Sequence, residues 1–141
     1  MLELEKTYLI KELPKGLLKS KSKEIIDIYV PATVVHPILR IRKNGDRFEI
    51  TKKAPIEGKD NSQHTEETIH LTKAEFEALA RVEGKRIRKI RYYYDWEDFT
   101  GEIDVFQDDL RGLVLADFEF NSEENLNAFK MLPFCLTEVT Q

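Results

Sequence analysis

The segment GEIDVFQDDLRGLVLADFEF (101–120) contains two short runs in which acidic and apolar side chains alternate. Glu102 and Asp104 fall on one side of the first run, with Ile103 and Val105 on the other. In the second, Asp117 and Glu119 oppose Phe118 and Phe120. Side chains alternate across a β-strand, so each run makes a strand with an apolar face and a carboxylate face. The pattern recurs along the chain with a changing sign of charge. Glu3, Glu5 and Thr7 alternate with Leu4, Lys6 and Tyr8, and Glu49, Thr51 and Lys53 with Phe48 and Ile50. Arg40 and Arg42 alternate with Leu39 and Ile41, and Lys89 and Arg91 with Ile90 and Tyr92. His64 shares the parity of Glu66 and Thr68. Such strands can pack their apolar faces together as a sandwich, with the charged faces in water. They can also close into a wide barrel with the charged faces inside.

The remaining sequence gives the order of elements. Strands are expected over 2–10, 25–30 and 64–71, with a hairpin over 36–53 turning at Asn44-Gly45. Thr72, with Glu75 three residues on, caps a short helix that runs towards Gly84. A strand over 86–94 and the two acidic strands follow. Ser122 then caps a second helix closed by Pro133, and TEVT (137–140) makes a last short strand. About eight strands and two short helices, joined by hairpin-like connections, point to a mainly β (α+β) fold with an antiparallel closed or strongly curved sheet. No internal repeat or linker divides the 141 residues, so one domain over 1–141 is expected.

Two observations favour the barrel. Charge is segregated by strand, with acids on the first, seventh and eighth and bases on the third and sixth, whereas a solvated surface mixes signs. The opposite faces also carry enough Leu, Ile, Val, Phe and Tyr to pack against helices outside. Charged residues form 34% of the chain and apolar residues 41%, yet 22 bases nearly balance 26 acids for a net charge of −4. That balance argues against a generic nucleic-acid partner, which calls for a basic excess. One cysteine, Cys135, excludes a disulfide framework and a cysteine-based zinc site. No apolar run approaches the roughly 20 residues of a membrane span. A soluble, cytoplasmic protein with no membrane partner is the expectation.

In this order the motifs resemble the CYTH, or triphosphate tunnel metalloenzyme, family. Glu3 and Glu5 match the acids of its E-x-E-x-K signature. LRIR (39–42) is similar to its paired-arginine strand, ITKK (50–53) to its L-T-x-K strand, and KIRY (89–92) to its K-x-R-Y strand. EIDVF and GLVLADFEF resemble its late acidic pair, and TEVT its closing E-V-T. The resemblance implies a closed antiparallel eight-stranded barrel with a few short outer helices, whose lumen holds a triphosphate and Mg²⁺ or Mn²⁺. It further implies metal-dependent hydrolysis of inorganic triphosphate or of a nucleoside or thiamine triphosphate. A non-catalytic triphosphate- or polyphosphate-binding module and a class IV-type adenylate cyclase remain alternatives, and a homodimer stays open.

On that resemblance Arg40, Arg42, Lys53, Lys89 and Arg91 would hold phosphate oxygens, the arginines in bidentate fashion. Glu3, Glu5, Asp117 and Glu119 make an all-oxygen ligand set suited to a hard divalent ion. Glu66, Glu102 and Asp104 are the candidates for orienting or deprotonating water. The sequence departs from the pattern at Thr7, which stands where the family has lysine; Lys6, one position early, has outward parity. His36 and His70 read as surface residues, Cys135 as a buried thiol, and Trp96 with Tyr92–Tyr94 as outer-wall packing. The basic stretch 15–23 reads as a solvated connection.

Overall fold

A computed structural model describes residues 2–59, 63–96 and 99–140, the side chains of Leu2 and Glu3 lying outside that set. Among the described residues, β1 (Leu2–Ile10), β2 (Ser22–Val30), β3 (Leu39–Asn44), β4 (Arg47–Pro55) and β5 (Gln63–Leu71) precede α1 (Lys73–Leu79). Then come β6 (Lys85–Trp96), β7 (Phe99–Phe106), β8 (Val114–Glu119), α2 (Glu123–Ala128) and β9 (Cys135–Glu138). Hydrogen bonding runs β5-β4-β3-β2-β6-β7-β8-β1, and β1 returns to β5, closing an eight-stranded antiparallel barrel. The closure is short: Leu2, Glu3 and Leu4 pair with Thr65, His64 and Gln63. Beyond Leu4, β1 leaves β5, and its last residues pair with β9 instead. The last strand lies outside the ring of eight, over Cys135–Glu138 rather than 137–140.

Two apolar clusters cover the outer wall. On one side Tyr8, Ile103, Phe118, Phe129 and Phe134 pack together where α2 and the segment after it cross β1, β7 and β8. On the other, Ile28, Ile41 and Phe76 join α1 to β2 and β3, with Phe48 and Phe76 rings 5.0 Å apart. Both helices start as their caps dictate. The Thr72 and Glu75 side chains each accept a backbone N–H of the other residue, forming a capping box, and Ser122 accepts from the Asn125 amide. The helices are shorter than expected. The first stops at Leu79 rather than near Gly84, and Gly84 has a different use: a Cβ there would lie 2.6 Å from the Tyr29 carbonyl oxygen, so glycine lets this segment approach β2.

The hairpin also turns one residue later than expected. Asn44 pairs with Arg47 inside the ladder, and Gly45-Asp46 makes the two-residue turn, with Gly45 at φ +65°. Asn44 therefore stays on the inward face. Lys6 lies opposite Phe118 on the outward face, as its parity requires. No described helix is long and apolar enough to cross a membrane.

Phe118, fully buried and in contact with Tyr8 and Phe129, ties the sheet to its outer cover. Phe118→Ala is expected to cost about 3–5 kcal/mol, the usual range for emptying a buried aromatic site. The midpoint of urea unfolding, followed by circular dichroism, measures it.

Candidate functional site

The lumen is a cavity of about 610 Å³, lined by side chains from all eight strands of the ring. Of the expected residues, Glu5, Arg40, Arg42, Lys53, Glu66, Lys89, Arg91, Glu102, Asp104, Asp117 and Glu119 all line it. The side chain of Glu3 lies outside the described residues. Strand parity puts these groups inside, and antiparallel register decides which of them meet.

Register sorts them into two walls. On β1, β8 and β7, Glu5 lies directly opposite Glu119, and Glu102 opposite Asp117. On the facing wall the cations are interleaved with acids. Lys53 Nζ is 3.5 Å from Glu66 and 3.9 Å from Glu5, and the buried His64 also places its Nε2 3.9 Å from Glu5. Arg91 is gripped by Asp104 through Nε (2.8 Å) and Nη2 (2.9 Å), while Lys89 reaches the same carboxylate at 2.8 Å. The third Arg91 nitrogen, Nη1, meets Glu102 at 3.0 Å. Arg42 is held in the same fork by Asp27, at 2.6 and 2.8 Å. One end of the lumen is apolar: Phe106 and Leu115 line it, and the fully buried Ile25 shares the inward face of β2 with Asp27.

The surroundings set distinct protonation behaviour. Burial pushes the Asp104 carboxyl up, but the Arg91 hydrogen bonds and the Lys89 charge outweigh it and leave it below the usual carboxylate range. Asp27 follows the same course, with burial overcome by Arg42. Asp117 goes the other way. It faces the lumen from deep in the wall, so desolvation raises its pKa, a hydrogen bond from the Thr7 hydroxyl only partly offsets this, and the charge of Asp104 adds to the rise. Burial holds Lys89 below its ordinary value despite Asp104. Thr7, at the position of the family lysine, thus acts as a donor to Asp117.

The donor chemistry fits a hard divalent cation. Glu5, Glu119, Glu102 and Asp117 offer oxygens only, and like charges directly opposite in a sheet repel, which a dication between them relieves. Among the described residues, no three carboxylate, histidine or cysteine side chains converge as a preformed metal site. Arg40 fits an anion: its Nε is buried in the wall with no hydrogen-bond partner, an arrangement that costs free energy unless a ligand oxygen meets it.

The sequence reading did not single out Asp27, Tyr29 or Lys85. Asp27 and Tyr29 share the inward face of β2, and Tyr29 stands directly opposite Lys85. Inward parity over 25, 27 and 29 was available as a signal, and so was the spacing of Lys85 to Lys89 and Arg91; starting the strand at residue 86 cut Lys85 off. Tyr93 faces the acidic mouth beside Glu102 and Asp117, whereas Tyr94 and Trp96 pack on the outer wall. His36 and His70 are exposed, and Cys135 is buried with a free thiol.

Two stability predictions follow from these charges. Asp104→Asn strands Lys89 and Arg91 without a buried counter-charge and should cost about 3–5 kcal/mol at neutral pH in urea titration. Asp117→Asn should stabilise. A carboxyl whose folded pKa lies above its unfolded value of about 3.9 supports folding while protonated, and that contribution fades as pH rises through the folded pKa. Thermal melts from pH 4 to 8 should therefore show a gain for Asp117→Asn that grows with pH.

No family profile matches the chain. It is 33% identical over 143 residues to the inorganic triphosphatase of Nitrosomonas europaea, spanning 100% of this chain and 91% of that protein. A crystal structure of an inorganic triphosphatase superposes with a TM-score of 0.68 at 29% identity, covering 99% of this chain and 87% of the other. A candidate adenylate cyclase from Bacillus halodurans gives 0.61 at 18% identity, covering 89% and 83%, a likeness of fold alone.

Proposed function

The chain belongs to the CYTH, or triphosphate tunnel, family, and we propose that it hydrolyses the terminal phosphate of a short polyphosphate, inorganic triphosphate first, with the help of Mg²⁺ or Mn²⁺. The observation that carries this reading is the unpartnered, buried Arg40 Nε in a cavity whose facing wall is a ladder of paired carboxylates. Among the described residues, six basic side chains and seven carboxylates line the cavity. A polyanion entering that balance needs more positive charge than the protein supplies, which supports entry with a divalent cation.

Arg40, Arg42, Lys53, Lys89 and Arg91 would bind phosphate oxygens, with Lys85 added from the structure. Glu5, Asp117 and Glu119 would hold the metal, together with Glu3 on its sequence parity. Bound there, the ion supplies charge neutralisation and a more acidic water. Water attacks the terminal phosphorus, the bridging P–O bond breaks, and pyrophosphate leaves against the basic wall. The proton from water needs a carboxylate with room for it. Both oxygens of Asp104 are engaged by Arg91 and Lys89, so Glu66 or Glu102 takes that role and Asp104 holds the cations in place. The reading extends to a soluble cytoplasmic enzyme.

Phosphate release from tripolyphosphate, ATP and thiamine triphosphate, with Mg²⁺, Mn²⁺ or chelator, tests the proposal. Turnover of tripolyphosphate that stops in chelator is the expected result, and tight binding without turnover under any metal would replace hydrolysis with a binding role. Glu119→Gln should lose most activity at limiting Mn²⁺ with stability unchanged or slightly raised, because a neutral amide is a poor ligand for a hard dication. Arg40→Ala should weaken tripolyphosphate binding by about 1.5–3 kcal/mol, the value of a charge-assisted contact.

A further inference from the structure

We infer that Asp27 is a positioning residue for triphosphate binding, which fixes the Arg42 guanidinium so that only one of its nitrogens is left for the ligand. The inference rests on the triphosphate reading of the cavity and names a residue that reading does not otherwise use. Asp27 is 1% exposed and stands directly opposite Arg42 in the β2–β3 ladder. Its Oδ1 accepts from Arg42 Nε at 2.6 Å and its Oδ2 from Nη2 at 2.8 Å; Oδ2 also takes the Tyr29 hydroxyl at 3.3 Å. A guanidinium is planar, so holding two of its nitrogens fixes the direction of the third. Nη1 is the Arg42 nitrogen that remains, on a side chain that lines the cavity.

The neighbouring strand pair, β6 and β7, repeats the device. Asp104 takes Nε and Nη2 of Arg91, and Arg91 Nη1 points to a further acceptor, Glu102. Two arginines are therefore presented edge-on by two buried aspartates, one on β2 and one on β7. On the β7 side the third nitrogen already has a protein partner. On the β2 side, among the described residues, the Arg42 side chain makes hydrogen bonds and an ion pair to Asp27 alone, which assigns its Nη1 to the substrate. A freely rotating arginine would lose conformational entropy on binding; one held by Asp27 has lost it on folding. Asp27 also cancels most of the Arg42 charge, so this wall contributes direction more than field strength. The anion's charge is left to Arg40, Lys85 and the metal.

The test compares wild type with Asp27→Asn, Asp27→Glu, Arg42→Ala and the double variant Asp27→Asn/Arg42→Ala. The Kd for a methylene-bridged, non-hydrolysable tripolyphosphate analogue is read in Mn²⁺, and KM and kcat for tripolyphosphate in Mn²⁺, at a temperature where circular dichroism shows each variant folded. Asp27→Asn should weaken binding roughly tenfold, the size expected for one disordered charge-assisted contact. KM should rise in step and kcat should change little. Asp27→Glu, which keeps the ion pair and the fold, should recover part of the loss. In the Arg42→Ala background Asp27→Asn should not weaken binding further and should improve it, because it removes an unpaired carboxylate facing an anion. A structural role alone would lower the melting temperature and leave Kd of the folded protein unmoved. That result, or equal losses in both backgrounds, overturns the inference while the triphosphate reading stands. A wild type that neither binds nor hydrolyses tripolyphosphate overturns both.

Discussion

Charge can line the inside of this barrel because two buried aspartates neutralise two of its arginines, Arg42 and Arg91, from within the wall. An arginine or lysine removed from water loses several kcal/mol of hydration, which only close, well-directed counter-charge can return. Asp27 does this for Arg42, and Asp104 for Arg91 and Lys89, with both carboxylate oxygens engaged in each case. These forks span neighbouring strands, so they also lock the register of β2 against β3 and of β6 against β7. Outer packing then has only to cover the apolar faces, which α1 and α2 do in two separate clusters.

What remains after this internal pairing is the working surface. The carboxylates of β1, β8 and β7 are stacked against one another across the ladder, a costly arrangement that a dication relieves. The cations of the facing wall are mostly held in place, and Arg40 carries a buried donor without a partner. A lumen with stacked carboxylates on one wall and fixed donors on the other would need little reorganisation to receive the metal-bound polyanion proposed for it. Thr7 belongs to this balance. A hydroxyl at that position donates to Asp117 without adding the positive charge of a lysine.

Much of this was legible in the chain. Glu5, Arg42, Lys53, Arg91 and Glu119 reach one cavity because side-chain parity in a strand is a local property, and closing the sheet carries that parity inside. The caps at Thr72 and Ser122 were equally local. The misreadings came where a neighbour decides. The position of Asn44 depended on whether the turn took Asn44-Gly45 or Gly45-Asp46, which is settled by its pairing with Arg47 across the ladder. Gly84 looked like a helix stop, but its lack of a side chain serves contact with Tyr29 on a strand more than fifty residues earlier in the sequence.

Alternation of charge and apolar residues thus determined, by sequence alone, that the strands are two-faced, with acids paired on the first, seventh and eighth and bases paired on the third and sixth. It could not say which face turns inward, since a sandwich and a barrel use the same period of two. Closure of β1 on β5 through three residue pairs decided that. Nor could it reveal that Asp27 belongs to the site or that Asp104 is a clamp. Those roles come from antiparallel register, which sets residues 15 and 13 positions apart within 3 Å of each other. The physical reason is reach: a side chain's direction follows from its own backbone, whereas the charge it meets depends on a strand delivered from elsewhere in the fold.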